Sequence, residues 1–232
     1  MQINLPFSVS ATIVDRASST MDLARSYDGA EGFPHWILAR AQTQARGRQG
    51  RSWLSGQGAF AASLVMQPNC PPAMAAQRSF VAACALRRVL ATHVDPNLLA
   101  HKWPNDVLLQ GGKVAGILLE SSGSGLNVDR LTIGIGVNLG HAPKDVPDAS
   151  FAPVGLADVT GQMVPIETFL EILAAEFAAV EHKLVTQGFA EIRAEWTAHA
   201  ARLAQVITAR TTRKPHQALS LIPILRGRRP YA

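Results

Sequence analysis

Cysteine is almost absent from this chain of 232 residues: Cys70 and Cys84 are the only two. Neither sits in Cys-x-x-Cys or Cys/His ligand spacing, which argues against a disulfide framework and a structural metal site. Cys70 reads as a loop residue and Cys84 as a small helix-packing residue. No apolar run approaches the roughly 20 residues a membrane span needs. No basic segment followed by an apolar one opens the chain as a signal peptide would, so the expected location is the cytoplasm. Internal repeats and low-complexity linkers are missing too, which leaves one large domain or a domain with a small appendage. Acidic residues number 17 against 22 Lys and Arg, a formal net charge of +5. That excess invites a nucleic-acid reading, but no zinc-finger spacing, aromatic RNP motif or basic heptad segment accompanies it. The excess collects instead in residues 46–51 and in a tail carrying Arg213, Lys214, Arg226, Arg228 and Arg229.

Two segments stand out. Arg46-Gly47-Arg48-Gln49-Gly50-Arg51 places three guanidinium groups on a loop punctuated by glycine. Glycine lets a backbone bend and approach a ligand closely, and the guanidinium fork suits phosphate and carboxylate oxygens. About fifty residues later, Lys102-Trp103-Pro104-Asn105-Asp106 sets an ammonium, an amide and a carboxylate around a bend inside an apolar run. Together they point to a site that binds a polyanion and does chemistry on it. A local anionic ligand explains the Arg loop better than a nucleic-acid track.

The periodicity is mixed. Ser19-Thr20-Met21-Asp22 has capping-box spacing and opens a short helix to residue 26. Residues 35–41 and 61–67 read as buried strands. Residues 77–93 place Phe80, Val81, Cys84, Val89 and Leu90 on one helical face. The apolar runs 107–109 and 114–119 flank Gln110-Gly111-Gly112-Lys113, a hairpin signal, and 131–139 reads as a further strand. Pro165 starts a long helix with Glu167 in its first turn and Lys183 near its end, matching the macrodipole at both ends. Its buried face is Ile166, Phe169, Leu170, Leu173, Phe177, Val180 and Leu184, and Gly188 ends it. Another helix is expected over 189–203.

These motifs, with Gly116 in Lys113-Val114-Ala115-Gly116-Ile117-Leu118-Leu119-Glu120 and with Gly134-Ile135-Gly136-Val137-Asn138-Leu139, occur in the order found in biotin–protein ligases. The chain resembles that family over roughly residues 8–205. The resemblance implies an α+β catalytic domain related to class II aminoacyl-tRNA synthetases, a mixed sheet flanked by helices, over residues 1–204. It implies a ligase that activates biotin with ATP and Mg²⁺ to biotinyl-5′-AMP, then biotinylates one lysine of the carrier domain of a biotin-dependent carboxylase. By resemblance, Lys102 bridges the biotin carboxylate and the α-phosphate. Arg46 and Arg48, with Gly47 between them, cover the adenylate, and Arg51 and Lys113 lie near the phosphates. Ser19, Thr20, Gln42 and Gly116 line the biotin slot. Asn105 or Asp106 orients the metal-bound pyrophosphate, with the metal ligands themselves unassigned.

Each residue also has a plainer reading. Ser19 can be only a helix cap, Lys102 an edge-strand lysine, Lys113 a turn residue, and Asn138 a buried amide. Trp103 and His101 read as core and strand residues. Gly134-x-Gly136 lacks the spacing of a dinucleotide fingerprint and reads as a packed strand. The base that deprotonates the acceptor lysine is unassigned, with Asp106 as a candidate.

Several departures are visible. The Arg motif of the family usually reads GRGRxGR, and Ala45 replaces its first glycine; a positive φ there would strain an alanine. Met21 stands where the family often has Asn. Residues 205–210 look like the first strand of the small C-terminal β-barrel of the family, but the pattern then fails, so 205–232 reads as a truncated or irregular remnant with an unpaired strand edge. The helix-turn-helix of repressor-type relatives does not precede the catalytic sequence, so no operator binding is predicted. A homodimer is left open. The rival readings are a lipoate–protein ligase and a biotin-binding module with impaired catalysis.

Overall fold

The computed structural model describes residues 3–123, 125–144, 146 and 151–203, and the backbone of 207–210 and 215–218. Seven strands form one sheet: β1 (Ser10–Ala17), β2 (His35–Gln42), β3 (Phe60–Met66), β4 (Leu99–Lys102), β5 (Asp106–Leu109), β6 (Gly112–Ser122) and β7 (Arg130–Val137). Their order is β1-β2-β3-β7-β6-β5-β4. Only β1 and β2 run parallel, and every other pair in this sheet is antiparallel. The sheet is mixed, as expected.

Alternation sorts the strands into two faces. Trp36 and Leu38, Phe60, Ala62 and Leu64, Ile133, Ile135 and Val137, and Ala115 and Ile117 share one side by register and are all buried. On this side pack α2 (Pro72–Ala75), α3 (Arg78–Leu90), α5 (Ile166–Gln187) and α6 (Phe189–Ala198). Phe169 meets Phe60 at 4.9 Å and Phe177 meets Trp36 at 6.0 Å, both edge to face. Each large apolar side chain buried this way stabilises the fold by about 1.5–3 kcal/mol. The predicted stripe of α5 is buried except for Ile166, which is half-buried. In α3, Phe80 is also half-buried, against Trp196 and Phe189. Ion pairs tie these helices together, Arg78 to Glu181 at 2.7 Å and Arg88 to Glu195 at 2.7 Å.

The second face is different. Ala61 aligns with Gly136 and Gly116, and Ser63 aligns with Gly134. These small residues strip side chains from the middle of the sheet and leave a backbone floor. The short helix α1 (Thr20–Ser26) and the loop between β2 and β3 pack on this side.

Three expectations change. The helix expected over 189–203 ends at Ala198, because residues 199–201 turn away to pair with β4: His101 N–H donates to His199 O at 2.8 Å and Ala201 N–H to His101 O at 2.7 Å. Tertiary pairing there overrides helical periodicity. Lys183 lies too early to serve the last turn of α5; it pairs with Glu191, and the helix ends on Gly188 at φ 84°. Ala45 is not among the positive-φ residues, so the strain expected there does not arise; Gln49, at φ 58°, takes the left-handed conformation instead.

A short helix α4 (Leu156–Thr160) follows the sheet. Within the strand expected over 205–210, Ile207–Arg210 form β8, and β9 (Pro215–Ala218) pairs with it, so that edge is not bare. The remainder of the 205–232 remnant lies outside the described residues. No described helix is long and apolar enough to cross a membrane. Cys70 and Cys84 are both buried free thiols.

Candidate functional site

The site is built across the glycine floor. At one end, Ser19 caps α1, its Oγ accepting from Met21 N–H at 3.2 Å. The predicted capping box does not form: Ser19 Oγ takes the amide one residue before Asp22, and the Asp22 carboxylate turns to Arg46. Thr20 N–H donates to Gln42 Oε1 at 2.7 Å, and Ser63 Oγ donates to Thr20 Oγ1 at 2.8 Å. Ser63 joins the site without having been singled out by any motif. The signal that could have found it is a lone polar side chain inside an apolar strand, Phe60-Ala61-Ala62-Ser63-Leu64-Val65-Met66. Ser19, Thr20 and Ser63 are all buried, so this end offers a small, polar, internally satisfied wall.

Met21 lies over the floor beside them. A Cβ built on Gly134 would fall 2.6 Å from the Met21 sulfur. The residue that replaces the usual Asn thus supplies an apolar contact. Farther along, Trp53 covers Gly136 and Gly116, where a Cβ would fall 2.8 and 2.9 Å from the indole. The glycines therefore serve close packing, as the strand reading of Gly134-x-Gly136 requires.

At the other end the cations gather. β4 and β5 form a tight antiparallel pair across the Trp103–Pro104 turn, so Lys102 faces Asp106 directly. Lys102 Nζ lies 2.6 Å from Asp106 Oδ2, and Lys113 Nζ lies 2.7 Å from Oδ1 of the same carboxylate. Asp106 is buried and the two lysines are partly exposed. Lys102 also lies 4.9 Å from the Phe151 ring centre and Lys113 5.1 Å from that of Trp53, favourable cation–π geometry. Asn105 donates to Ile117 O and accepts from Arg48 Nη1 at 3.4 Å. Lys102, Lys113, Asn105 and Arg48 thus come together, with Gly116 directly across from Asp106.

The Arg loop folds as its own small hairpin. Gly47 N–H donates to Arg51 O at 2.7 Å and Trp53 N–H to Ala45 O at 2.9 Å. Gly47 sits at φ −106°, and a Cβ added there would meet only an ordinary contact, so nothing in the fold itself demands glycine at this position. Arg46 is anchored within the protein. Its guanidinium pairs with Asp22 at 2.6 Å and Glu120 at 3.4 Å, anchoring the loop to α1 and β6. Arg51 is exposed, and among the described residues no hydrogen bond or ion pair holds its side chain.

Other expected residues resolve plainly. Trp103 is half-buried against the core and His101 is a buried strand residue. Asn138 is a buried amide that donates to Lys113 O and Val154 O. Among the described residues, no group of three or more His, Cys, Asp or Glu is placed to hold a metal ion.

The chain has known relatives. A biotin--[acetyl-CoA-carboxylase] ligase of Paracoccus denitrificans is 52% identical over 179 residues, 76% of this chain and 75% of that protein. The bifunctional ligase/repressor BirA of Bacillus subtilis is 30% identical over 179 residues, 75% of this chain but 54% of the relative. In fold, the chain is similar to the biotin protein ligase from Aquifex aeolicus in complex with biotin and ATP, with a TM-score of 0.76, 22% identity, and coverage of 90% and 85% of the two chains. Residues 14–138, which carry both ends of the floor and the Arg loop, match the Biotin/lipoate A/B protein ligase family, and the chain belongs to it.

Proposed function

We propose that this protein is an ATP-dependent biotin–protein ligase. It joins biotin to AMP and then passes biotin to a lysine on the carrier domain of a biotin-dependent carboxylase. The observation that carries this reading is the polarity of the floor. A polar wall of Thr20, Gln42 and Ser63 stands at one end, and Lys102, Lys113 and Arg48 stand at the other. A ligand with a hydrogen-bonding head, an apolar body and a carboxylate tail fits that order.

The first step brings a carboxylate onto the α-phosphorus of ATP. Two unit negative charges about 4 Å apart repel by roughly 4 kcal/mol at an effective dielectric near 20. Lys102 and Lys113 offset that repulsion, and Arg48 adds a fork for the phosphoryl oxygens. Attack forms the acyl–phosphate bond and expels pyrophosphate. Mg²⁺ would come with the triphosphate as part of the substrate and would screen the charge of the pyrophosphate leaving group. In the second step the acceptor amine attacks the mixed anhydride and AMP leaves. A free lysine, with a pKa about 10.4, needs on the order of 4–5 kcal/mol to be neutral at about pH 7.

The test is the intact mass of a biotin carrier domain incubated with the protein, biotin and MgATP. One biotin-sized increase, lost in Lys102→Ala, supports the reading. Modification by lipoate and not by biotin would move the assignment to the lipoate branch of the family. Tight biotin binding with no pyrophosphate released would leave a binding module.

A further inference from the structure

We propose that Asp106 is a positioning residue that holds Lys102 and Lys113 as one two-cation unit, and that it does not act as the base of the transfer step. This rests on the ligase reading for its kinetic part only. The carboxylate is 6% exposed and opens β5. Its two oxygens are divided between two lysines from two different strands, Oδ2 to Lys102 on β4 and Oδ1 to Lys113 on β6. Each ammonium also rests near an aromatic face, Phe151 for one and Trp53 for the other. The separation of the two cations is therefore set by the width of a carboxylate and two short contacts. Without the carboxylate between them, two long flexible side chains of like charge swing apart.

That geometry favours positioning over proton abstraction. A general base must come within hydrogen-bond reach of the proton it takes. Both Asp106 oxygens already accept from charged donors and the carboxylate is buried, so the two lysines stand where an incoming amine would approach. The carboxylate instead keeps two donors at the spacing two converging oxyanions require. Its role is carried through the lysines, and it reaches no reacting atom itself. Asn105, next in the chain, extends the same tether to Arg48.

Asp106→Asn tests the tether. The amide keeps one acceptor and puts an N–H where the other oxygen stood, so one lysine faces a donor and is released. The first readout needs no ligase activity: competitive acetylation of the folded chain across pH, with Lys102 and Lys113 quantified by mass spectrometry. At least one of the two should gain about fivefold or more in reactivity in the variant. Unchanged labelling of both lysines overturns the proposal.

The second readout separates positioning from base chemistry. Adenylate formation should fall about 10- to 100-fold in Asp106→Asn, with the KM for biotin moving by no more than about threefold. Transfer from preformed biotinyl-5′-AMP should suffer the smaller loss. Lys113→Met tests the coupling from a partly exposed position if the Asp106 variant misfolds: with the carboxylate left to Lys102 alone, Lys102 labelling should fall by about twofold or more relative to the wild type, and unchanged Lys102 labelling overturns the coupling. The double variant Asp106→Asn/Lys113→Met should be no slower than about the slower single variant, because the pair acts as a unit. Strictly additive losses, or a loss confined to transfer, overturn the positioning role. A wild-type chain that makes no biotinyl-5′-AMP yet keeps the labelling contrast sinks the ligase reading and leaves the tether standing.

Discussion

Trp53 packs directly on the backbone of Gly136, so closely that a Cβ added there would fall 2.8 Å from the indole. The same ring covers Gly116, and its Nε1 is buried without a hydrogen-bond partner among the described residues. An unpaired buried N–H costs about 1–3 kcal/mol. The floor therefore holds a side chain that gains by packing and loses by desolvation.

Gly136→Ala should disturb this contact first. The methyl must displace an indole rather than the tip of a flexible chain, a change that costs about 1–3 kcal/mol in a packed site. We expect a lower Tm and biotin binding weakened by about tenfold or more. Calorimetric titration alongside thermal unfolding checks both. Unchanged affinity would show that the ligand does not use this part of the floor.

How much of the molecule is legible in its sequence follows chain distance. The Lys102–Asp106 pairing is local, enforced by a turn between adjacent strands, and the 107–119 hairpin announces itself through Gln110 and Gly111, which both take positive φ. The anion-binding role proposed for the Arg loop and Lys102 likewise rests on residue types at short spacing. The contacts that organise the site do not. Arg46 meets Glu120, Ser63 meets Thr20, and Trp53 meets Gly136, all joined only by the sheet order β2-β3-β7-β6. Local pattern carries no information on which strand lies beside which. The end of α6 escapes the sequence for the same reason, since it is set by pairing with β4.

Arg46 and Arg48 should behave differently although both belong to one motif. Arg46 is three-quarters buried in side chain and pairs with two carboxylates. Arg46→Gln should lower stability by about 1 kcal/mol and loosen the loop. Arg48 is exposed and makes one long contact. Arg48→Ala should leave stability within about 0.5 kcal/mol and slow adenylate formation by about 100-fold or more. Urea unfolding paired with pyrophosphate release reads both, and equal stability losses in the two variants would contradict the distinction.

Cys84 should be inert to alkylation in the native state. Burial in α3 pushes its thiol up to about 12, with the Glu195 carboxylate acting in the same direction. Thiolate is the reactive form, so very little is present at about pH 8. Iodoacetamide followed by peptide mass spectrometry should find Cys84 unmodified until the protein is unfolded. Modification at the rate of a free thiol in the folded chain would contradict the packing.

His101 should make the fold acid-sensitive. Its ring is fully buried, stacked on Trp196 at 5.4 Å, with Nδ1 3.1 Å from Trp196 O and Nε2 3.2 Å from Ala83 O. Burial lowers its pKa from 6.5 to about 4, outweighing the two carbonyls, which raise it. His199, in ring contact with it, is also lowered, chiefly by burial and then by Arg87. The unfolded chain then binds the proton more readily than the folded one, so the stabilising effect is whole above about pH 6.5 and is lost as pH falls toward about 4. The full span corresponds to about 3 kcal/mol from His101. Because carboxylates such as Glu195, held low by Arg88 against its own burial, also lose stabilising pairs at acid pH, the test is comparative. Urea unfolding at about pH 7 and about pH 5 should show a larger drop for the wild type than for His101→Gln, which carries no titrating proton. Equal drops would mean that the imidazole is solvated in the folded chain, and that its ring is not packed between Trp196 and Ala83.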